Sequence, residues 1–279
     1  MIPNNPLDFV ELAKSLTGSN DINVIIDAAR KLSEFATSGR PISEIDNFQA
    51  FLSRMKVASP RGVKTFSPHS FQISLAQRLE GLVRTDQKRI IHCASRQMGT
   101  STILAAFAMW TALATPKQKI VVIGHRLASA MEMNKCIQMM LSYSPAPMRA
   151  QTKTYLEFAN GSSIDFLTYS SKGTASKIAE TDLAILSDLA FCSFATDADI
   201  SYALSTLSNR GGKYVASSVP KYTRGLFWDL WNSADVDEKL HQPWYVHSDR
   251  DEEWMKPFRE QLSPEQFANE FECKFSKPE

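Results

Sequence analysis

Residues 94–101 have the residue types and the spacing of a loop that holds phosphate groups. They read Ala-Ser-Arg-Gln-Met-Gly-Thr-Ser and lie between a short apolar run and an apolar helical stretch. In such loops, backbone N–H groups and the N-terminus of the next helix bind anionic oxygens. Against the pattern G-x-x-x-x-G-K-[ST], Gly99 and Ser101 are kept, whereas Ala94 replaces a glycine and Thr100 replaces the lysine. An ordinary strand–turn–helix connection explains the stretch equally well, and both interpretations stay open.

A second candidate group is the carboxylate of Asp188, which follows the apolar run 183–186. Phosphate-loop NTPases present a carboxylate to Mg²⁺ in this way, although many buried strands end in Asp simply to form a turn. Members that hydrolyse nucleotides usually place Glu directly after the Asp to orient water. This chain has Leu189 at that position.

These groups need a scaffold, and the sequence from Phe66 onwards predicts alternating strands and helices. Asn160-Gly161 predicts a hairpin with a type I′ turn, and Ser263 to Gln266 predicts a helical capping box. The alternation predicts an α/β fold with a mainly parallel sheet flanked by helices, whose ligands bind at the carboxyl ends of the strands. Strands are predicted at 89–94, 119–124, 154–158, 163–168, 183–187 and 213–217, and helices at 102–114, 127–143 and 226–232.

The first part of the chain predicts helices only. Apolar residues recur at helical spacing within 9–16, 22–35 and 45–55, and Ala-Ser-Pro-Arg-Gly at 58–62 predicts a linker. We therefore expect a helical N-terminal segment over residues 1–62 and a separate domain over residues 63–279.

The composition narrows the class of protein. The chain has 279 residues, is 43% hydrophobic and 22% charged, and carries a formal net charge of +1, which excludes a disordered chain and a globally basic nucleic-acid binder. No apolar run is long enough for a membrane span and no signal peptide is evident, so we expect a soluble intracellular protein. The four cysteines are far apart and form no C-x-x-C pair, so neither a disulfide scaffold nor a zinc site is expected.

Two further sets of residues have both a functional and a structural interpretation. His125 follows a predicted strand and could face the ligand cleft, although a histidine satisfied within its own loop is the simpler expectation. Six basic residues in predicted loops either contact DNA phosphates or are ordinary solvated charges: Lys172, Lys177, Arg210, Lys213, Lys221 and Arg224.

Several motifs, taken in order, resemble the ATPase domain of the large terminase subunits of tailed bacteriophages. That family packages viral DNA into preformed capsids through a portal. The most specific motifs are Ser-Arg-Gln-x-Gly at 95–99 and Asn-Gly-Ser-Ser at 160–163. The resemblance covers about residues 66–275 and implies a phosphate-loop NTPase-like fold of the ASCE type. It also includes Phe71-Gln72, the segments 155–164 and 183–191, Ser217-Ser218-Val219-Pro220, and 265–271.

The resemblance implies roles for individual residues. Gln72 would contact the adenine edge, and Arg96 and Asp188 would be the catalytic residues, with Arg96 near the β- and γ-phosphates. Ser101 and Asp188 would hold Mg²⁺. Ser217 and Ser218 would couple the nucleotide state to movement; as alternatives, Gln72 is a solvated helix residue and the two serines simply end a strand. The residues implied for ATP binding are Gln72, Ser95, Arg96, Gln97, Met98, Gly99, Thr100, Ser101 and Thr102.

Departures from the family pattern predict weak hydrolysis. Thr100 lacks the point charge of the usual lysine, and Leu189 can neither orient nor deprotonate water. The Arg-Gly pair that often precedes the Asp strand is absent from 176–181, although Arg96 could partly replace the lysine and Lys177 the arginine. We expect a DNA-packaging ATPase domain that binds ATP and Mg²⁺ and hydrolyses it weakly or only with partners. The alternative is an inactive terminase-like pseudo-ATPase that serves as a DNA-binding or assembly module.

The partners implied by the resemblance are double-stranded DNA, the portal protein and the small terminase subunit. Further copies of the chain would form a ring on the portal, in the cytoplasm of the infected bacterial host and without a membrane. The nuclease domain that follows the ATPase domain in that family is not expected here, because the ATPase-like part extends almost to residue 279.

Overall fold

The computed structural model describes residues 14, 21–23, 25–26, 47–59 and 62–278. The predicted helices at 9–16 and 22–35 lie almost entirely outside these residues. The helices are α1 (Phe48–Arg54), α2 (Ser70–Arg84), α3 (Thr100–Ala114), α4 (Leu127–Tyr143), α5 (Thr174–Glu180), α6 (Phe194–Asn209), α7 (Leu226–Asn232), α8 (Glu252–Gln261) and α9 (Pro264–Glu270). The strands are β1 (Lys56–Ser59), β2 (Gly62–Thr65), β3 (Arg89–Ala94), β4 (Lys119–Gly124), β5 (Met148–Gln151), β6 (Tyr155–Phe158), β7 (Ser163–Thr168), β8 (Leu183–Ser187), β9 (Lys213–Ser218) and β10 (Glu238–Gln242).

An eight-stranded sheet forms the centre of the fold, with the strand order β10-β3-β9-β8-β4-β7-β6-β5. The six strands from β10 to β7 run parallel, and β6 and β5 add an antiparallel edge. This confirms the predicted α/β fold. Because the parallel strands end at one edge, the loops after β3, β4, β8 and β9 lie together there.

Two apolar layers cover the sheet. One face packs against α1 to α4, and the other packs against α5, α6 and α7. Neighbouring residues of β3 alternate between the layers, so Ile90 lies in the first and Ile91 in the second. Helix α3 is apolar on nearly all sides because it lies between the sheet and other helices.

Most of the predicted elements are confirmed, several with the same bounds. Helix α3 begins two residues earlier than predicted, because Gly99 caps it with a φ of +71°. The capping box at α9 is present, with the Ser263 hydroxyl accepting from the Gln266 N–H. Among the described residues, no helix is long and apolar enough to cross a membrane.

Two local predictions are wrong. In the predicted linker at 58–62, residues 58, 59 and 62 belong to the antiparallel strands β1 and β2, whereas residues 60 and 61 lie outside the described residues. The hairpin between β6 and β7 exists, but its turn is not of type I′, because only Gly161 has a positive φ (+83°) and Asn160 does not. The Gly161 N–H donates to the Phe158 carbonyl and the Phe158 N–H to the Ser162 carbonyl, as in a turn closed by a glycine bulge.

Helix α1 belongs to the first apolar layer. Phe48 is fully buried, and its ring lies 5.6 Å from that of Phe107 and 5.2 Å from that of Trp110. The end of the N-terminal segment therefore packs directly on α3. The domain boundary near residue 62 stays a prediction.

Candidate functional site

The β3–α3 loop (residues 95–99) has a backbone suited to binding anions. Gln97 and Gly99 have φ values of +61° and +71°, and the Ser95 N–H donates to the Gln242 carbonyl, which fixes the start of the loop. A side chain at position 99 would displace the Gln72 amide, because a Cβ there would lie 2.7 Å from Gln72 Nε2.

Within the part of the chain that the structure describes, the N–H groups of residues 97 to 101 donate to no acceptor. Intrahelical bonding resumes at Thr102 and Ile103, whose N–H groups donate to the Gly99 carbonyl. Five consecutive unused donors at the N-terminus of a buried helix are what a phosphate group binds.

Asp188 lies directly beyond β8 and has a φ of +58°. Its N–H donates to the Ser217 carbonyl on the neighbouring strand over 2.8 Å. The backbone position is thus held by β9, while the carboxylate is partly exposed.

The structure brings most of the predicted site residues to one cavity of about 340 Å³. The β3–α3 loop, the start of α3, Asp188 and the end of β9 line it. Pockets of this size hold small ligands. The lining residues are Ala94, Ser95, Arg96, Gln97, Met98, Gly99, Thr100, Ser101, Ser187, Asp188, Ser217, Ser218 and Val219. Gln72 and Thr102 are not among them.

Hydrogen bonds of Ser217 and Ser218 connect the end of β9 to β3 and to the segment after Asp188. The Ser218 hydroxyl accepts from the Ala190 N–H, two residues beyond Asp188. The Ser217 hydroxyl is 3.1 Å from Nδ1 of His92, and His92 Nε2 is 2.9 Å from Gln242 Oε1. These hydrogen bonds connect the Asp188 segment to β9, and β9 to β3 and β10.

His92 is fully buried in this network. Burial lowers the pKa of its imidazole to about 4, opposed in part by the hydrogen bond with Gln242. The imidazole is therefore neutral at neutral pH.

Gln72 is buried and holds the loop from behind. Its Nε2 donates to the Met98 carbonyl over 2.9 Å, and its Oε1 accepts from the His69 N–H. The alternative of a solvated helix residue is wrong, because only 6% of Gln72 is exposed. Both ends of the amide are bonded to protein in this structure, and contact with adenine stays a prediction.

Two arginines surround the loop, and sequence reasoning found only one of them. Arg96 pairs with Glu270 of α9 over 3.0 Å, and 52% of its side chain is exposed. Arg250, which the sequence did not single out, donates to the carbonyls of Arg96 and Gln97 and lies 4.2 Å above the ring of Trp254. No local motif marks Arg250, since only the packing of the C-terminal helices brings it to the loop.

Leu189 and Thr100 differ in their surroundings. Leu189 is 1% exposed and packs in the second apolar layer, so its side chain is directed into the core. Thr100 lines the cavity. A lysine at position 100 would therefore lie at the cavity, whereas a glutamate at position 189 would be buried in the apolar layer.

Lys177 does not take the place of an arginine near the loop. It pairs with Asp165 of β7 over 3.3 Å, and β9, β8 and β4 lie between β7 and β3. At about 4.8 Å per strand, β7 is roughly 19 Å from the strand that carries the loop.

Two of the other basic residues considered for DNA contact are bonded to backbone in this structure. Arg210 donates to the Ala179 carbonyl. Lys213 donates to the carbonyls of Leu82 and Thr85 at the amino end of β9, away from the cavity.

His125 faces the site, contrary to the simpler expectation. Its Nδ1 lies 3.2 Å from Asp188 Oδ2, and its ring lies 5.5 Å from that of Phe191. The sequence indicated this possibility, because His125 directly follows Gly124 at the end of β4.

The fold is that of a large-terminase ATPase domain. The ATPase domain of the large terminase of Thermus phage P74-26 superposes with a TM-score of 0.60 at 19% identity, over 85% of this chain and 99% of that one. The HK97 bacteriophage large terminase gives a TM-score of 0.66 at 13% identity, over 82% of this chain and 55% of that one. The large terminase of a thermophilic bacteriophage, solved in complex with ADP, gives 0.58 at 11% identity, over 75% of this chain and 54% of that one.

The profile of the family "Terminase large subunit, T4likevirus-type, N-terminal" matches residues 91–277. The chain therefore belongs to this family of terminase large subunits. It spans about half the length of the HK97 protein and of the ADP-bound protein from the thermophilic phage. A comparison with curated proteins finds no match.

Proposed function

We propose that the chain binds ATP with Mg²⁺ in the 340 Å³ cavity and acts as the ATPase domain of a viral DNA-packaging motor. The observation that carries this proposal is the convergence of unused N–H donors at 97–101 with the Asp188 carboxylate on one cavity. The large terminase of the thermophilic phage was solved once with ADP and once with ATP-γ-S, which supports a nucleotide as the ligand.

The N–H groups of the β3–α3 loop would hold the phosphates, and Ser101 and Asp188 would face the metal ion. Both residues line the cavity, and hydroxyl and carboxylate oxygens are the ligands that Mg²⁺ prefers. Arg96 would exchange Glu270 for the phosphates. In its present ion pair the Arg96 side chain is half exposed, and ion pairs at the surface contribute little free energy.

Hydrolysis by the chain alone would be slow. Leu189 is buried where a water-orienting glutamate is expected, and losing one general base commonly costs about 10²–10⁴-fold in rate. A neighbouring copy in a ring on the portal, or another partner, would supply the missing group. The proposed partners are double-stranded DNA, the portal protein and the small terminase subunit, in the cytoplasm of the infected host.

The buried Leu189 also favours a second candidate function. A pseudo-ATPase would keep the fold and serve as a DNA-binding or assembly module without turnover. The two candidates differ in whether any partner restores hydrolysis.

Thermal or chemical unfolding with and without Mg²⁺-ATP tests the proposal. A ligand at 100 times its Kd adds about 2.7 kcal/mol to the free energy of unfolding. We expect this gain to need Mg²⁺, to be lost in Asp188→Asn and to persist in Asp199→Asn, where the carboxylate is exposed on α6. No gain in the parent chain would overturn nucleotide binding.

Turnover then separates the two functions. Phosphate release that appears only with DNA and portal protein supports the motor, and binding without turnover under every combination supports the pseudo-ATPase.

A further inference from the structure

Three side chains of types that often bind metals are far apart in the sequence but lie close together on one face of the central sheet. The Sγ atoms of Cys93 and Cys273 and an imidazole nitrogen of His241 all lie within 4.8 Å of one another. The sequence predicts no zinc site, because the cysteines are far apart along the chain. The fold brings Cys93 and Cys273 close together, so their spacing in the sequence is no argument against a site.

Strand pairing brings two of the three together. His241 of β10 is directly opposite Cys93 of β3 in the parallel register, so both side chains point to the same face of the sheet. Because register and pleat fix this pair, the distance between them does not depend on a flexible loop.

The third group comes from the segment after α9. Cys273 has a φ of +56°, a backbone conformation that residues other than glycine seldom adopt. Its Sγ donates to the Gln242 carbonyl over 3.5 Å, and the Cys93 Sγ donates to the Cys273 carbonyl over 3.9 Å. The flanking backbone is held as well, since the Trp244 N–H donates to the Phe271 carbonyl.

We propose that Cys93, His241 and Cys273 bind one Zn²⁺ ion through two thiolates and one imidazole. Sulfur and imidazole ligands suit zinc, whose tetrahedral sites have Zn–S and Zn–N bonds of about 2.3 and 2.0 Å. Ligand atoms bonded in this way lie about 3.5–3.8 Å apart, so the three groups would approach one another by up to about 1.3 Å from separations of at most 4.8 Å. Three protein ligands leave a fourth position for water. His241 is exposed while both cysteines are buried, so the ion enters from the side of the imidazole.

Binding exchanges protons for the metal. The Cys273 thiol and burial both raise the pKa of Cys93, so Zn²⁺ has to displace a proton from this thiol to bind its sulfur.

The proposed ion would tie the C-terminal segment to the strand that carries the β3–α3 loop. Cys93 is two residues before Ser95, and Cys273 is three residues after Glu270, which pairs with Arg96. The site does not depend on the proposed nucleotide function, because Cys93, His241 and Cys273 do not line the 340 Å³ cavity.

The test uses the full chain under reducing conditions, with zinc chloride followed by dialysis, elemental analysis and Co²⁺ substitution. We expect one zinc per chain and the absorption of tetrahedral Co²⁺–thiolate coordination. His241→Ala, at an exposed position, should lower zinc affinity at least ~10-fold, and Cys273→Ser, which leaves one thiolate, should weaken zinc binding and lower the intensity of the thiolate–cobalt band.

Matched controls are Cys136→Ser and Cys192→Ser, which remove cysteines outside the cluster and should leave binding unchanged. A folded parent chain that retains no zinc overturns the proposal, as does zinc retained equally by the cluster variants. Loss of two thiols on mild oxidation, with no zinc bound in the reduced chain, would instead indicate a disulfide and also overturns it. Asp188→Asn should retain zinc, so the two proposals fail separately.

Discussion

His125 Nδ1 lies 3.2 Å from Asp188 Oδ2 and joins the ends of two neighbouring parallel strands, β4 and β8. A hydrogen bond of this kind would orient Asp188 toward the proposed Mg²⁺, and removing such a partner typically costs 10–100-fold in metal affinity. We expect His125→Ala to weaken Mg²⁺-dependent ATP binding by about 10-fold, as measured by calorimetric titration of Mg²⁺-ATP.

His125→Asn is the matched variant, since its amide keeps a donor close to the place of Nδ1. It should retain most of the affinity. Equal losses in the two variants would show that the hydrogen bond is not what orients Asp188.

Two substitutions restore the residues missing from the family pattern. One should strengthen ATP binding, and the other should lower the free energy of unfolding. Thr100→Lys places a charge in the cavity and should tighten ATP binding, because an ammonium binds phosphate far better than a hydroxyl. Leu189→Glu buries a carboxylate in the apolar layer and should lower the free energy of unfolding by at least ~3 kcal/mol.

Urea unfolding measures the second effect, and Leu189→Met, which keeps an apolar side chain of similar volume, should cost less than about 1.5 kcal/mol. A stable Leu189→Glu chain with new ATPase activity would contradict the inward orientation of this side chain.

Gly99→Ala should destabilise the chain more than the same substitution at a positive-φ glycine with open space around it. Its Cβ would lie 2.7 Å from Gln72 Nε2 and would break the hydrogen bond to the Met98 carbonyl. Together with the strain of a positive φ, we expect a loss of about 2–3 kcal/mol.

Gly211→Ala is the control, because Gly211 also has a positive φ (+86°) but open space around the added Cβ. Its cost should be the strain alone, about 1–2 kcal/mol. Equal losses in urea unfolding would show that the contact with Gln72 does not constrain the loop.

Stability should depend on pH through His92. The folded chain protonates His92 only near pH 4, whereas the unfolded chain does so near pH 6.5. Unfolding therefore takes up a proton between these values. The free energy of unfolding is fully kept above pH 6.5 and falls as the pH decreases, by up to about 1.4 kcal/mol per pH unit.

Urea unfolding from pH 7.5 to 5 measures this slope. It should be reduced in His92→Asn, which removes the buried imidazole. A parent chain with a flat profile over this range would show that His92 is not buried in its neutral form.

The sequence predicted local structure well because local signals were strong. The apolar runs at 119–124 and 183–187 and the helix at 127–143 have the predicted bounds, since a buried strand or an amphipathic helix shows its period directly. The predicted turn type at Asn160-Gly161 is wrong, and residues 58, 59 and 62 lie in strands rather than in the predicted linker. Glycine and proline are common in turns, linkers and hairpins alike, so the local sequence does not distinguish these three kinds of segment.

Contacts between distant residues were beyond the sequence. Nothing near Arg250 links it to the β3–α3 loop, and nothing near Leu189 shows that its side chain turns into the core. Both follow from how helices pack on the sheet.

What the sequence determined by itself was the order of strands and helices, the glycine at position 99 and the presence of Asp188 after an apolar strand. Periodicity and turn chemistry act over a few residues, and these features depend on nothing else. The tertiary structure alone decided which groups share a site: His125 with Asp188, Arg250 with the loop, and Cys93 with His241 and Cys273. Strand order and register set those distances, because parallel strands bring together residues that the chain itself separates.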